Sequence, residues 1–256
     1  MSNLTLSLLK RKPAIARRKT WQRRFSEIAD RLAAQYGMPS LGNLNDPVQE
    51  IFYIVLSAKT TDAQYRRTHA ELATKFRDLA ALARARLKAI IRCIAGGGLA
   101  NKKARQVKRI AGRLIADLGD DPATGLRRMS AREAFDYLTG LPGLGPKSAL
   151  CVMMCSLNFD VFPVDVNVSR IANRVGVVRR GLKHYEYTQR IPAAIPEGRS
   201  KQLHVGLVVH GRTICLPRKP RCESCFISDC CNYGKRRLRG TSDGRSREKK
   251  SQTQSN

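Results

Sequence analysis

Apolar residues recur every three or four positions along most of the chain, which is the spacing of amphipathic helices. Such stripes predict helices over residues 21–36, 79–94, 102–118 and 200–211. The segment 47–60 is largely apolar and predicts a central helix. No stretch sustains the alternation of a β-strand. We therefore predict an all-α fold.

Polar residues at the expected helix ends support this prediction. Asp46 followed by Pro47 is a strong helix start, because the carboxylate can accept hydrogen bonds from free amides and proline suits the first turn. Thr61 or Asp62 can cap the next helix. The stretch 119–129 carries no apolar stripe, and we interpret it as a loop.

The most informative turn is LPGLGP, residues 141–146, between two predicted helices. Ser130 and Glu133 have the spacing of a capping box at the start of the first helix. Gly143 and Gly145 allow backbone amides to approach a phosphate closely, and the following proline can begin the second helix. An anion at this turn would meet amides and a helix N-terminus together.

Lys147 directly follows that proline, and its position is unusual for a lysine. A helix N-terminus disfavours an ammonium, so we expect a lowered pKa, and a neutral amine is a nucleophile for Schiff-base chemistry. Asp165 precedes the apolar stripe of a further helix. Taken singly, Lys147 would contact a phosphate and Asp165 would cap that helix. Their joint placement beside the glycine turn favours a catalytic pair.

The segments LPGLGPKSA and VDVNVSRIANR resemble the helix-hairpin-helix, the Gly/Pro-rich loop and the Asp motif of the endonuclease III group of base-excision DNA glycosylases. The resemblance covers roughly residues 46–234. It implies that Lys147 attacks the sugar of a damaged nucleotide and that Asp165 assists. Many hairpins of this kind only hold the DNA backbone, and the pair of Lys147 and Asp165 is the feature that distinguishes a catalytic protein from one that only binds DNA.

The resemblance also implies two helical domains with the active site in the cleft between them. Residues 46–157 would form a barrel-like domain that contains the hairpin, and residues 20–45 plus 158–234 would form a discontinuous cluster domain. Composition predicts a basic disordered arm over 1–19 and a basic disordered tail over 235–256. The arm has the composition of an organellar transit peptide as well.

Charge limits the choice of partner. The chain has 48 lysines and arginines against 20 acidic residues, a net charge of +28. An excess of this size indicates a polyanionic partner, nucleic acid first and an anionic membrane second. No apolar run is long enough to span a bilayer.

The cysteines indicate a metal centre rather than a disulfide framework, since five of the eight lie within seventeen residues. Cys215, Cys222, Cys225 and Cys231 have the spacing C-x6-C-x2-C-x5-C. Four thiolates suit either zinc or an iron–sulfur cluster. The spacing resembles the [4Fe–4S] loop of the endonuclease III and adenine-glycosylase families, which implies the cluster. Cys230 would change the last spacing, so we treat it as a non-ligand.

Five further residues are candidates for DNA contact. Arg218, Lys219 and Arg221 lie between the first two cysteines, where an ordered loop would present them to phosphates. The resemblance aligns LSAKTTD with an LSAQ-type motif and puts Lys59 where the family's glutamine faces the opposite base. It also puts Leu99 at the wedge position, which fills the gap left by a flipped base. The alternative for Leu99 is an ordinary surface leucine.

We therefore expect a bifunctional DNA glycosylase with AP lyase activity that removes oxidised pyrimidines and acts as a monomer on double-stranded DNA with damaged bases or abasic sites, not on membranes. The alternatives are a monofunctional mismatch or uracil glycosylase and a non-catalytic DNA-binding protein. Lys59 should favour guanine opposite the lesion, and Asn167 replaces a frequent histidine. Such an enzyme belongs in the bacterial cytoplasm and nucleoid, or in a nucleus or organelle.

Overall fold

The computed structural model describes residues 15–37, 39–178, 181–182 and 184–239. These residues form helices and connecting turns with no β-strand among them, which confirms the all-α prediction. The helices are α1 Ile15–Tyr36, α2 Pro47–Ser57, α3 Asp62–Lys75, α4 Leu79–Arg84, α5 Leu87–Cys93, α6 Ala100–Leu118, α7 Pro122–Arg128, α8 Ala131–Gly140, α9 Pro146–Cys155, α10 Val166–Val175, α11 His184–Arg190 and α12 Ser200–Thr213, followed by a last helix, α13, over 232–239. Short 3-10 turns lie at Ala95–Gly97, Pro192–Ala194 and Ser228–Cys230.

The chain divides into two units. The first, which we call the hairpin unit, is Gly42–Val161. Its central helix is α2, which packs against α3, α6, α7 and α9. Ile51, Phe52 and Leu56 of α2 are buried in one apolar core. Burial of a side chain of this size contributes roughly 1.5–3 kcal/mol, so the apolar α2 segment stabilises the unit that carries the glycine turn.

The second unit, which we call the cysteine unit, consists of the described residues up to Leu41 and from Phe162 onward. Here α12 packs against both α1 and α10. Gly206 of α12 permits this approach to α1, since a Cβ added there would lie 3.1 Å from the Cβ of Leu32. The apolar stripe predicted in the first helix is buried in this core, including Phe25 and Leu32.

The predicted helix starts are present. Asp46 Oδ1 accepts a hydrogen bond from the Gln49 amide at 2.8 Å. Thr61, rather than Asp62, is the cap of α3, with Gln64 completing a capping box. The box of Ser130 and Glu133 opens α8. These caps satisfy amides that have no partner inside their helices.

Two segments differ from the sequence interpretation. Residues 79–94 form two helices, because Ala85 and Arg86 are extended and the Ala85 carbonyl accepts a hydrogen bond from Lys108 Nζ. The predicted loop 119–129 contains helix α7, capped by Asp121 and begun by Pro122. This start has the same aspartate–proline signal as α2, but no apolar stripe follows it in the sequence.

The ends also differ from the prediction. Helix α1 begins at Ile15, inside the stretch predicted as a disordered arm. Helix α13 includes the first residues of the predicted tail, because the Cys231 carbonyl accepts the Lys235 amide at 2.9 Å and starts a helical turn. The remaining residues of the arm and the tail lie outside the described residues. The bounds of the hairpin unit lie four residues outside the predicted 46 and 157.

Candidate functional site

The glycine turn between α8 and α9 is anchored at two points in the core. Leu141 and Leu144 are 2% and 3% exposed, and the Leu144 amide donates to the Leu141 carbonyl at 3.2 Å. Gly143 lies between them with a φ of +88°, a conformation that favours glycine. A side chain there would also meet the amide group of Gln106. Two buried leucines thus hold an exposed glycine turn in place.

Lys147 stands at the end of this turn. Gly145 caps α9 in an extended conformation, Pro146 is the first helical residue, and Lys147 follows with an exposed side chain. Within the described part of the chain, the amides of Gly143 and Gly145 donate to no protein acceptor. They can therefore bind an anion close to the Lys147 position.

Asp165, in the cysteine unit, is the N-cap of α10. Its Oδ1 accepts from the Val168 amide at 2.8 Å, and its Oδ2 accepts from Asn167 Nδ2 at 3.1 Å. The capping role foreseen for Asp165 is therefore present. The same two hydrogen bonds fix the direction of the carboxylate, which a catalytic aspartate requires.

Asn167 connects Asp165 to the cysteine loop, a link that the sequence did not reveal. The Asn167 Oδ1 accepts from Arg170 Nη2 at 2.8 Å. Arg170 also donates to the carbonyls of Gly211 and Cys215, at 2.8 and 3.0 Å. Gly211 must be small, because an added Cβ would lie 2.8 Å from the Asn167 Cβ. A continuous chain of hydrogen bonds thus joins the Asp165 carboxylate to the backbone of the first cysteine.

Arg174, one turn further along α10, binds the same loop. Its guanidinium donates to Cys215 Sγ at 3.1 Å and to the carbonyls of Leu216 and Pro217 at 2.8 and 3.0 Å. It also lies over the Tyr233 ring, 5.0 Å from the centroid. The only sequence signal for this role is the spacing of Arg170 and Arg174, four apart on one helix face.

Four cysteines line one cavity in the cysteine unit: Cys215, Cys222, Cys225 and Cys231. Burial raises the pKa of Cys225 to about 11 and raises the pKa of Cys222 and of Cys231. Four thiolates this close together, one buried and three partly buried, would need a cationic centre to share their charge. The donor set of this cavity has the chemistry that a thiolate-bound metal group requires.

The groups around the sulfurs also suit a thiolate-bound metal group. Besides Arg174 at Cys215, the Gly234 amide donates to Cys231 Sγ at 3.4 Å, and the buried His210 Nε2 lies 3.6 Å from Cys225 Sγ. Donors directed at sulfur stabilise negative charge on it.

Cys230 is not among the cysteines of this cavity. Its thiol donates to Glu27 Oε1 at 3.1 Å, and burial together with this contact raises the pKa of Cys230 to about 12. Glu27, Cys230 and Asp229 lie close together, but Arg31 forms ion pairs with both carboxylates. Because Arg31 already pairs with both carboxylates and leaves only one net negative charge, we assign no metal ion to this group.

The basic loop between the first two cysteines is exposed and ordered by backbone contacts. The side chains of Arg218, Lys219 and Arg221 are exposed. The Arg221 amide donates to the Ile214 carbonyl at 3.0 Å and closes the loop, and Lys219 has a φ of +47°. Three cations therefore stand on a loop whose ends are fixed.

Lys59 and Leu99 lie in two turns of the hairpin unit. Lys59 follows α2 with a φ of +51°, and Leu99 precedes α6 with a φ of +52°. Lys59 is exposed, and Leu99 is 49% exposed. A Cβ added at Gly98 would lie 3.6 Å from the Lys59 carbonyl oxygen. The two turns are thus neighbours, as expected if both approach one partner.

Comparison with known proteins shows the family to which the chain belongs. Residues 52–195 match the family described as HhH-GPD superfamily base excision DNA repair protein. The endonuclease III of Haemophilus influenzae is 30% identical over 212 residues, which is 81% of this chain and 94% of that protein. The endonuclease III of Sulfolobus acidocaldarius is 31% identical over 147 residues, 57% of this chain and 63% of that protein.

One solved structure supports the same assignment. It is described as a trapped endonuclease III–DNA covalent intermediate with an estranged adenine, and it matches with a TM-score of 0.73 and 25% identity, covering 85% of this chain and 98% of that one. The chain belongs to the endonuclease III family within the HhH-GPD superfamily. No helix of the described residues is long and apolar enough to cross a membrane.

Proposed function

We propose that the protein is a DNA glycosylase with AP lyase activity that removes damaged bases, oxidised pyrimidines above all, from duplex DNA. The observation that carries the proposal is the likeness to a protein trapped in a covalent intermediate with DNA. A covalent intermediate needs a nucleophile, and the hairpin unit offers Lys147 at the end of the glycine turn.

Lys147 is the proposed nucleophile. Its neutral amine attacks C1′ of the damaged nucleotide, the new N–C1′ bond forms, and the glycosidic bond breaks as the base leaves with the electron pair. Loss of a proton from nitrogen and opening of the sugar ring give a Schiff base. Removal of a C2′ proton then breaks the C3′–O bond by β-elimination, and water releases the enzyme from the imine.

Asp165 is the proposed assisting carboxylate. The Val168 amide and the Asn167 side chain each donate to one of its oxygens. Each of these oxygens keeps a further lone pair that can accept a hydrogen bond from a substrate. The carboxylate can then position or deprotonate the attacking amine and stabilise positive charge that develops on the sugar.

Cys215, Cys222, Cys225 and Cys231 are the proposed ligands of a [4Fe–4S] cluster, with zinc as the less favoured alternative. The cluster would bind the four sulfurs into one rigid body and would supply no bond-making chemistry. The residues of this chain do the rest: Arg170 and Arg174 fix the loop backbone, and Arg218, Lys219 and Arg221 contact DNA phosphates.

The remaining site residues have proposed roles in binding the DNA during base excision. The amides of Gly143 and Gly145 would bind a phosphate, Leu99 would fill the gap left by the flipped base, and Lys59 would face the opposite base. A lysine only donates hydrogen bonds, so Lys59 should prefer guanine, whose O6 and N7 are acceptors.

The test is single-turnover excision of thymine glycol placed opposite each of the four bases, followed by borohydride trapping on an abasic duplex. We expect excision with a preference for guanine, and a covalent adduct. DNA binding with neither excision nor an adduct would leave a non-catalytic DNA-binding protein. Excision without any adduct would identify a monofunctional glycosylase, and equal rates opposite all four bases would remove the proposed role of Lys59.

The cluster assignment gives a further prediction. Cys222→Ala should yield colourless protein without iron, whereas the parent protein should be brown and contain iron, because three thiolates leave one position of the site without its ligand. Iron content and visible absorbance measure this directly. Cys230→Ala is the matched control, because it removes a neighbouring buried thiol that is hydrogen-bonded to Glu27 and is not a proposed ligand. The colour should therefore remain. Stoichiometric zinc in anaerobically prepared parent protein would overturn the assignment.

A further inference from the structure

Lys103 is almost completely buried, with 2% of its surface exposed, although it lies on α6 among many exposed basic residues. A buried ammonium is costly unless hydrogen bonds replace its water shell. Burial lowers the pKa of Lys103. A lysine in such a position needs a structural reason, and none of the site residues described above supplies one.

The side chain of Lys103 is bound by two backbone carbonyls. Its Nζ donates to the Leu56 oxygen at 2.6 Å and to the Gly97 oxygen at 2.7 Å. Leu56 lies in the last turn of α2, and Gly97 ends the 3-10 turn before Leu99. Carbonyls at such ends lack a helical partner and carry partial negative charge, so they suit an ammonium.

The backbone of Lys103 binds the same region. Its amide donates to the Leu99 carbonyl at 3.0 Å. Lys103 thus contacts residues on both sides of Gly98, and its ammonium joins this turn to the end of α2, three residues before Lys59.

Each of the two turns that Lys103 joins contains a residue in an unfavourable backbone conformation. Lys59 and Leu99 both have positive φ without being glycine, at 51° and 52°. Such conformations persist only where the surrounding structure holds them. A Cβ added at Gly98 would lie 3.6 Å from the Lys59 carbonyl oxygen, so the two turns are close neighbours and a contact that fixes one also restrains the other.

We propose that Lys103 is a positioning residue that clamps the Lys59 turn and the Leu99 turn into one rigid element for base extrusion. This inference rests on the proposed glycosylase function. With the clamp in place, the half-exposed Leu99 side chain and the Lys59 side chain enter the duplex together at a fixed separation. Without it, the turns relax toward ordinary backbone conformations, and Leu99 loses the direction that a wedge requires.

The clamp should matter for some substrates and not for others. A paired, stacked lesion must be pushed out of the helix, whereas an abasic site has no base to extrude. Lys103→Met removes the ammonium and keeps an unbranched side chain of similar length. We expect it to slow excision of thymine glycol at least about tenfold, since small misplacements can cost about 10²-fold. Cleavage of an abasic duplex by the same variant should change by less than about threefold.

Lys108→Met is the matched control. Lys108 lies on the same helix and also donates to a backbone carbonyl, that of Ala85, away from both turns. The Lys108→Met variant should have the same ratio of excision rate to abasic-cleavage rate as the parent protein. Both rates are measured under single turnover, well below the melting temperature. If Lys103→Met lowers excision and abasic cleavage by the same factor, then Lys103 contributes only to stability and the inference is wrong.

A double-mutant cycle tests whether Lys103 acts through Leu99. In a Leu99→Ala background, Lys103→Met should change excision by less than about twofold, because the wedge is already gone. Independent, multiplicative effects would overturn the proposal. A parent protein that excises nothing would instead show that the proposed function itself has failed.

Should Lys103→Met not fold, Gly98→Ala addresses the same turn by another route. Gly98 has a φ of +65°, which is strained for alanine, while no neighbouring atom would clash with the added methyl group. It should produce the same selective loss of excision. Undiminished excision in a folded Gly98→Ala protein would show that the geometry of the turn is unimportant.

Discussion

Lys147→Gln should abolish the borohydride adduct and strand cleavage, with losses of at least about 10³-fold, while duplex binding is retained. Glutamine cannot form a Schiff base, so the covalent route is lost rather than slowed. The residue is exposed at the second position of α9, so the change in the free energy of unfolding should stay within about 0.5 kcal/mol. Single-turnover cleavage, trapping and binding to an abasic duplex measure the three quantities separately.

The control for Lys147→Gln is Lys88→Gln, which removes an exposed lysine from α5 and the same unit charge. It should trap normally. If Lys147→Gln still forms the adduct at the parent rate, then the nucleophile lies elsewhere, and Lys59 is the next lysine to replace.

Asp165→Asn should lower base excision by about 10²-fold or more, the contribution typical of a positioned acid or base. Asparagine is as good an N-cap as aspartate, so the hydrogen bond to the Val168 amide can persist. The contact with Asn167 is different, because the new amide nitrogen cannot accept from Asn167 Nδ2. The melting temperature should therefore fall slightly, and binding to DNA should remain.

Asp121→Asn is the matched control for Asp165→Asn, because Asp121 caps α7 in the same way and has no proposed role in catalysis. Excision by this variant should equal that of the parent. Normal excision by Asp165→Asn together with a lower melting temperature would reduce Asp165 to a helix cap.

Features with a local chemical cause could be predicted from the sequence. The caps at Asp46 and Ser130 act within three residues of themselves, and the glycine turn has its own residue types. The four cysteines were predicted by their spacing, and the structure places them around one cavity without Cys230. Helix α7 was not predicted, because its start signal was present in the sequence but no apolar stripe followed it.

Contacts between a side chain and a distant backbone group could not be predicted. Lys103 binds a carbonyl 47 residues away, and Arg174 binds one 42 residues away. A carbonyl has no residue type, so no pattern in the sequence marks it as a partner. From the sequence alone, both residues would be assigned to a basic, solvated helix face. The positive φ values at Lys59 and Leu99 were hidden in the same way, because neither position is a glycine.

The arginines of α10 have a consequence for how the basic loop can evolve. Arg174 binds the main chain of Leu216 and Pro217 and not their side chains, and Arg170 likewise binds the carbonyl of Cys215. Every residue type provides such a carbonyl. Substitutions along this loop can therefore retune its charge and its reach toward a phosphate while its backbone path stays fixed by α10. Because the α10 arginines fix the backbone and the loop side chains contact the partner, the loop side chains can change during evolution while the backbone contacts stay the same.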